Sequence, residues 1–299
     1  MSRILLLGAN GQVGHKLRSS LCNLGELFPT TRSGVVEDDI ACEIADFDQP
    51  ESLASLVDRI SPDIVVNAAA YTAVDRAEDD AAAAFRANAE APEVLARTCK
   101  SRDALLVHYS TDYVFDGQAR RPYLEVDATA PLGVYGASKL EGEQAIRASG
   151  CRHMIFRTAW VYGHHGNNFM RTMLRLGAER DVVRVVADQF GSPTPAALIA
   201  EVSAHALRSN STASGTWNLT AKGETSWHGF AEAIFTRAHA RGMLAKLPVV
   251  TGITTAEYPT RARRPAYSCL DTHKLEQDFG VVLPDWQSAL AGVLDSSTG

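Results

Sequence analysis

Positive charge is in short supply in this 299-residue chain: 29 Lys and Arg face 35 Asp and Glu, a formal net charge of −6 at pH 7. Without a basic field, nothing holds a nucleic-acid backbone or an anionic bilayer surface, so DNA, RNA and lipid are excluded as main partners. Long apolar runs are missing too, since none approaches the ~20 residues a membrane-crossing helix needs. The N-terminal MSRILLLGANG holds four apolar residues before Gly8 and lacks a small-residue cleavage site, so a cytoplasmic location is expected. Cysteine is scarce: Cys22, Cys42, Cys99, Cys151 and Cys269 are odd in number, widely spaced and without C-x-x-C, as reduced, mostly buried thiols would be. The nine histidines include no H-E-x-x-H, and the pair His164-His165 has no third ligand at helical spacing, so no metal site is expected.

What remains is an ordinary globular composition, 45% hydrophobic and 21% charged, long enough for about two domains. In the first half, short β-branched runs alternate with helical patterns. Strands are expected at Arg3 to Leu7, Glu26 to Thr31, Ile64 to Asn67, Ala104 to Ser110 and His153 to Thr158. Helices are expected at Gly11 to Leu24, Pro50 to Ile60, Asp79 to Ser101 and Leu132 to Ser149. IVVN and ALLVHYS are apolar without alternation, as strands covered on both faces are. Right-handed β-α-β crossovers then give an α/β, doubly wound parallel sheet. After about residue 160 the pattern turns to shorter, mixed elements: strands at Thr216 to Thr220 and Pro248 to Ile253, and helices at Ala196 to Leu207, Ser226 to Arg241 and Asp285 to Leu294. Val182 to Asp188 fits either lobe, and the tail Ser296 to Gly299 reads as frayed.

Between the first strand and first helix stands Gly8-Ala9-Asn10-Gly11-Gln12-Val13-Gly14. Glycines there permit a tight turn, the approach of backbone to a pyrophosphate, and close packing of helix on sheet, with the helix N-terminus facing the phosphate charge. This makes residues 1–160 a dinucleotide-binding Rossmann domain and 161–299 a smaller, mixed substrate lobe, with some segments returning to the first. After the second strand comes Thr30-Thr31-Arg32-Ser33 in place of the carboxylate that would hold a ribose 2′-hydroxyl. A guanidinium and hydroxyls suit a 2′-phosphate, which favours NADPH with NADH tolerated; a solvated loop cation is the alternative for Arg32. Asp46-Phe47 follows the third strand, with Asp46 free either to meet an adenine or to cap the next helix. Asn67-Ala68-Ala69-Ala70-Tyr71 ends the fourth, its small side chains giving a cofactor access to backbone.

The strand ALLVHYS runs into Ser110-Thr111-Asp112-Tyr113 at the carboxyl edge where such sheets bind ligands. Further on, Tyr135-Gly136-Ala137-Ser138-Lys139 places a phenol and an ammonium one helical turn apart. A phenol that titrates near ~10 alone shares protons better beside a cation. Thr111, Tyr135 and Lys139 are therefore the candidate catalytic residues.

The spacing G-x-x-G-x-x-G resembles the extended short-chain dehydrogenase/reductases. The segments VVNAAAYTAVDRAE, HYSTDYVFDG, APLGVYGASKLEGE, IFRTAWVYG, GNNF, DQFGSPT, YPTRARRPAYSCLD and LPDW resemble the dTDP-4-dehydrorhamnose reductase family within them. The resemblance implies reduction of the 4-keto group of dTDP-4-dehydro-L-rhamnose to dTDP-L-rhamnose, the last step toward an activated sugar for bacterial surface polysaccharide. Tyr135 would protonate the nascent alkoxide, Lys139 would lower the phenol's proton affinity and bind the ribose, and Thr111 would hold the carbonyl oxygen. It also implies that Tyr109 joins the cofactor contacts, and that Asp112, Trp160, Asn168, Phe190 and Arg263 line the substrate cleft; a core Trp160 and an N-capping Asn168 are the alternatives for those two. Some members dimerise through magnesium bridged by glutamates, where this chain has Lys16 and Ala197. A monomer without structural magnesium is expected, with a metal-independent homodimer as the alternative. Two competing readings are a nucleotide-sugar epimerase, which would retain its dinucleotide through purification, and a non-catalytic subunit of the type that regulates methionine adenosyltransferase.

Overall fold

The computed structural model describes residues 1–36, 40–209 and 212–296; the tail past Ser296 lies outside them. Strands β1 (Ser2–Leu7), β2 (Gly25–Thr31), β3 (Glu43–Ile44), β4 (Ile64–Asn67), β5 (Leu105–Thr111) and β6 (His153–Thr158) belong to one parallel sheet with β11 (Gly215–Asn218), in the order β11-β6-β5-β4-β1-β2-β3. Alternation divides each strand between two cores. Ile4, Leu6, Val107 and Tyr109 face α1 (Gln12–Leu21), α8 (Ala196–Ser209) and α10 (His273–Phe279). Leu5, Leu7 and Leu106 face α2 (Ser52–Ile60), α5 (Ala91–Arg102) and α6 (Val134–Ser149).

The structure departs from the sequence pattern in three places. The helix expected over Asp79 to Ser101 is divided into α4 (Ala81–Phe85), a π turn at Arg86–Glu90, and α5. Pro92 carries no N–H for the carbonyl of Asn88, which loosens the ladder there, and α3 (Val74–Ala77) precedes it. The strand expected in the second lobe at Thr216 is β11, which pairs with β6 because Trp217 packs on Phe156 and Phe279 and donates its indole N–H to Asp278 at 2.8 Å. The helix α7 (Phe169–Glu179) was not read from the sequence at all.

The second core gathers Tyr162, Met170, Val183, Phe230, Phe235 and Trp286. It lies among α7, α9 (Trp227–Ala240), α11 (Trp286–Asp295) and the parallel pair β8 (Val182–Val186) and β13 (Val249–Ile253), which places Val182 to Val186 with the second lobe. Short pairs β7 (Val161–Tyr162) with β10 (Thr194–Pro195), and β9 (Phe190–Gly191) with β12 (Thr225–Ser226), tie its loops. We propose that the division at residue 160 is one of function, with β11, α8 and α10 serving the first unit's sheet.

Inside the first unit, Arg157 donates Nε and Nη2 to the two oxygens of Glu143 at 2.9 and 2.7 Å, with side chains 3% and 0% exposed. Burial alone would raise the Glu143 carboxyl, but the hydrogen bonds and charge of Arg157 outweigh it and hold it below its ordinary 4.5. The stability this carboxylate supplies is therefore in full above pH 4.5 and is lost as the pH falls below it. Glu143→Gln leaves a buried guanidinium without its anion and costs about 3–5 kcal/mol in urea unfolding at neutral pH. The difference from the parent protein narrows as the solution is acidified; a constant difference would refute the assignment.

Candidate functional site

A cavity of about 540 Å³ opens at the carboxyl ends of β1, β2 and β4. Gly8 turns the chain there at φ +79°, and a Cβ on it would lie 2.7 Å from the Ala69 nitrogen. Gly14, buried beneath the wall, lets α1 cross so close that a Cβ would stand 2.0 Å from the Gly8 carbonyl. Gly11 caps α1 without a side chain, so the first N–H groups of the helix are free for an anion. The rest of the wall comes from Gln12 and Val13, from Arg32 and Thr31, from Asp46 and Phe47, and from Ala68, Ala69, Ala70 and Tyr71. A bare backbone cradle under a helix N-terminus, with an aromatic and an acidic group opposite, fits a dinucleotide.

Several of the expected contacts also have partners within the protein. Asn10 points outward, its amide donating to the Val35 carbonyl at 2.9 Å. The Thr31 hydroxyl donates to the Val35 carbonyl and accepts from its N–H, both at 3.0 Å, and Ser33 joins the same turn, which leaves Arg32 as the exposed group on the rim. Asp46 accepts from the Asp48 N–H at 2.9 Å, closing an Asx turn while lining the cavity, and Glu51, not Asp46, occupies the N-cap of α2. Strand alternation sends the Tyr109 ring into the α8 core, where its hydroxyl donates to Ser203 at 2.8 Å. Only its carbonyl reaches the site.

That carbonyl accepts from Lys139 Nζ at 2.6 Å, and His108 Nε2 lies 3.3 Å from the same amine. Burial brings the Lys139 amine down to about 8, with Glu143 opposing. Tyr135 sits at the N-terminal end of α6, edge-on to Tyr113 with centroids 5.7 Å apart. Burial pushes its phenol up to about 12, the Thr111 hydroxyl works downward by hydrogen bonding, and Asp112 adds to the rise. Thr111 donates to Asp112 Oδ1 at 3.0 Å, whereas the buried Asp112 Oδ2 has no hydrogen-bond partner; burial lifts this carboxyl to about 6.

Asn88, unread in the sequence, anchors this arrangement from the π turn. Its side chain accepts from the Tyr71 N–H at 2.9 Å and donates to the Tyr71 carbonyl and the Ser138 hydroxyl, each at 3.0 Å. A helical Asn beside Pro92 was the one available signal.

From the second lobe, Trp160 takes φ +47°, a strained backbone for a non-glycine residue, and stacks on Trp227 at 3.4 Å. Gly191 makes the room, since a Cβ there would come within 2.4 Å of the Trp160 ring. Phe190 is 40% exposed beside it. Asn168 does cap α7, accepting from the Arg171 N–H at 3.1 Å, yet its amide also donates to Gln12 at 3.0 Å and so joins the lobes. Arg263 is exposed; its neighbour Arg264, half-buried, donates to Asp75 at 2.7 Å and lies beside Tyr113. Adjacent arginines in a loop carry no periodicity by which a sequence could tell them apart. Among the described residues, no group of three His, Cys, Asp or Glu could hold a metal ion, and no helix is long and apolar enough to cross a membrane.

The family described as RmlD substrate binding domain matches residues 1–298. The chain is 48% identical over 297 residues to the dTDP-4-dehydrorhamnose reductase of Burkholderia thailandensis, covering 96% of each. It is similar to the crystal structure of a dTDP-4-dehydrorhamnose reductase from Clostridium acetobutylicum, at 36% identity and a TM-score of 0.89, covering 99% of this chain and 100% of that one. A dTDP-4-dehydrorhamnose reductase from Bacillus anthracis, solved in complex with NADP, is 33% identical with a TM-score of 0.89, covering 99% of each chain.

Proposed function

The chain belongs to the dTDP-4-dehydrorhamnose reductase family, and from that premise we propose that it reduces the 4-keto group of dTDP-4-dehydro-L-rhamnose to dTDP-L-rhamnose. It is an NAD(P)-dependent oxidoreductase of the final step of dTDP-L-rhamnose biosynthesis. The observation that carries the reading is similarity along nearly the whole chain, joined to a Thr111–Tyr135 pair at the carboxyl edge of the sheet.

NADPH, when bound, supplies a hydride. Gly8, Gly11 and the N-terminus of α1 would hold its pyrophosphate, Arg32 its 2′-phosphate, and Lys139 its ribose. Thr111 would donate to the substrate carbonyl oxygen and so oppose the build-up of charge on it. Tyr135, pushed up to about 12, keeps its proton at neutral pH and releases it only to a stronger base, which the oxygen at C4 becomes as it gains negative charge. The unpartnered Asp112 Oδ2 would take a sugar hydroxyl, and the stacked Trp160 and Trp227 would give the nucleotide sugar an apolar shelf. Arg264, rather than Arg263, would face the substrate's phosphates, because it alone of the two is directed toward Tyr113.

Tyr135→Phe should bind NADPH and sugar nearly as the parent does while turnover falls on the order of 10² to 10⁴-fold in an assay of NADPH oxidation coupled from dTDP-glucose; near-normal turnover would remove the phenol from the reaction. Arg32→Asp should swing the ratio of kcat/KM from NADPH toward NADH, and an unmoved ratio would leave Arg32 a solvated cation. We also propose a monomer. Lys16 on α1 and Ala197 on α8 offer a bridging cation no carboxylate, and the two helices already pack on each other through Leu17, Leu21 and Ile199. Light scattering should give one chain's mass with or without EDTA; a dimer that dissociates on chelation would overturn the metal argument, and one indifferent to EDTA only the monomer.

A further inference from the structure

Asn67, His108 and Lys139 form a buried chain of side chains running from β4 through β5 to α6, none more than 2% exposed. Its polarity is set at one end. The Ala69 N–H donates to Asn67 Oδ1 at 3.2 Å, which turns Asn67 Nδ2 toward His108 Nδ1 at 3.1 Å. An amide N–H can be received there only by a lone pair, so a neutral His108 carries its proton on Nε2. That proton points at Lys139 Nζ, 3.3 Å away, while Nζ itself donates to the Tyr109 carbonyl at 2.6 Å. An ammonium has no lone pair and would meet a donor head-on; an amine closes the chain with every group satisfied.

We propose that His108 is a positioning residue, locked by Asn67 in the Nε2–H tautomer, that holds Lys139 as a neutral amine until the cofactor draws it away. The proposal rests on the reading of Lys139 as a ribose contact in the reductase site. Burial works in the same direction at both ends, holding the His108 imidazole well below its ordinary 6.5 and the Lys139 amine near 8. The charged and titratable groups around the amine are Glu143, one turn along α6 and itself paired with Arg157 and Arg147, and the phenol of Tyr135 on the same helix; His108 and the Tyr109 carbonyl face it from β5, and Asn67 backs His108 from β4.

Two substitutions reverse the chain. Asn67→Asp keeps the bond from Ala69 but offers Nδ1 a carboxylate, which moves the proton to Nδ1 and turns a lone pair on Nε2 toward Lys139. His108→Gln allows an amide carbonyl to face the amine. Both should stabilise the ammonium of the cofactor-free protein and move the basic limb of the pH profile of kcat/KM for NADPH upward by about one unit or more, with the KM for the sugar little changed. The ¹⁵N imidazole spectrum of the cofactor-free protein reads the tautomer without activity: His108, identified by the signal lost in His108→Gln and altered in Asn67→Asp, should show a bare Nδ1 and a protonated Nε2. A protonated Nδ1 in the parent, or active variants whose pH profiles superimpose on the parent's, would overturn the proposal. A parent inactive toward the 4-keto sugar would instead overturn the reading of the reaction, while the spectrum still decides the tautomer.

Discussion

A buried ion pair, Glu143 with Arg157, fixes helix α6 to the sheet, and the reactive groups take their positions from it. Glu143 stands one turn beyond Lys139 and two beyond Tyr135 on one face of the helix, and Arg157 belongs to β6, beside the strand that carries Thr111. Fixing a rigid helix at its middle sets the height of everything upstream at 1.5 Å per residue. The opposite flank is closed by Gly142, whose missing side chain lets α6 rest against the Asn88 carbonyl, where a Cβ would stand at 2.1 Å. The bonds from Asn88 to Tyr71 and Ser138 then couple the cofactor wall to the same helix. Phenol, amine and cradle are thus referred to one frame, as a reaction that needs its partners within tenths of an ångström requires.

The lobes are joined by a different kind of contact. Asn168 bonds Gln12, His165 bonds the Asn10 carbonyl at 2.8 Å, and Arg264 and Arg261 pair with Asp75 and Asp79. These are polar and mostly exposed, where each ion pair contributes about 0–1 kcal/mol. Several touch the glycine loop or the segment after β4, the walls of the dinucleotide cavity.

The parts legible from sequence were those whose cause is local. Glycines between a first strand and a first helix have few other uses, unbroken apolar strands announce a sheet covered on both faces, and Tyr135 with Lys139 requires only helical spacing. What escaped depends on distant partners. Whether β11 joins the large sheet is decided by Trp217 meeting Phe156 and Phe279, residues some sixty positions away on either side. The burial of the Tyr109 ring follows from the register of β5 against α8, and the half-buried position of Arg264 from where Asp75 stands. Asn168 shows why two readings could both be kept: one oxygen caps α7 and one nitrogen reaches the nucleotide loop.

Tyr135 and Lys139 share one face of α6, and the structure gives each group its own surroundings. Two groups one turn apart share a face, but a lysine's four-carbon stem lets its amine go where hydrogen bonds are better, and here the Tyr109 carbonyl and His108 claim it. The phenol is left to burial and to Thr111, with the raised value that follows. For a group that must deliver a proton to an oxygen gaining negative charge this is no handicap. A phenol eased toward neutrality would stand partly ionised, and a phenolate beside a carbonyl receiving hydride repels the charge it should quench. A phenol kept protonated by its surroundings would retain its proton until a stronger base forms beside it.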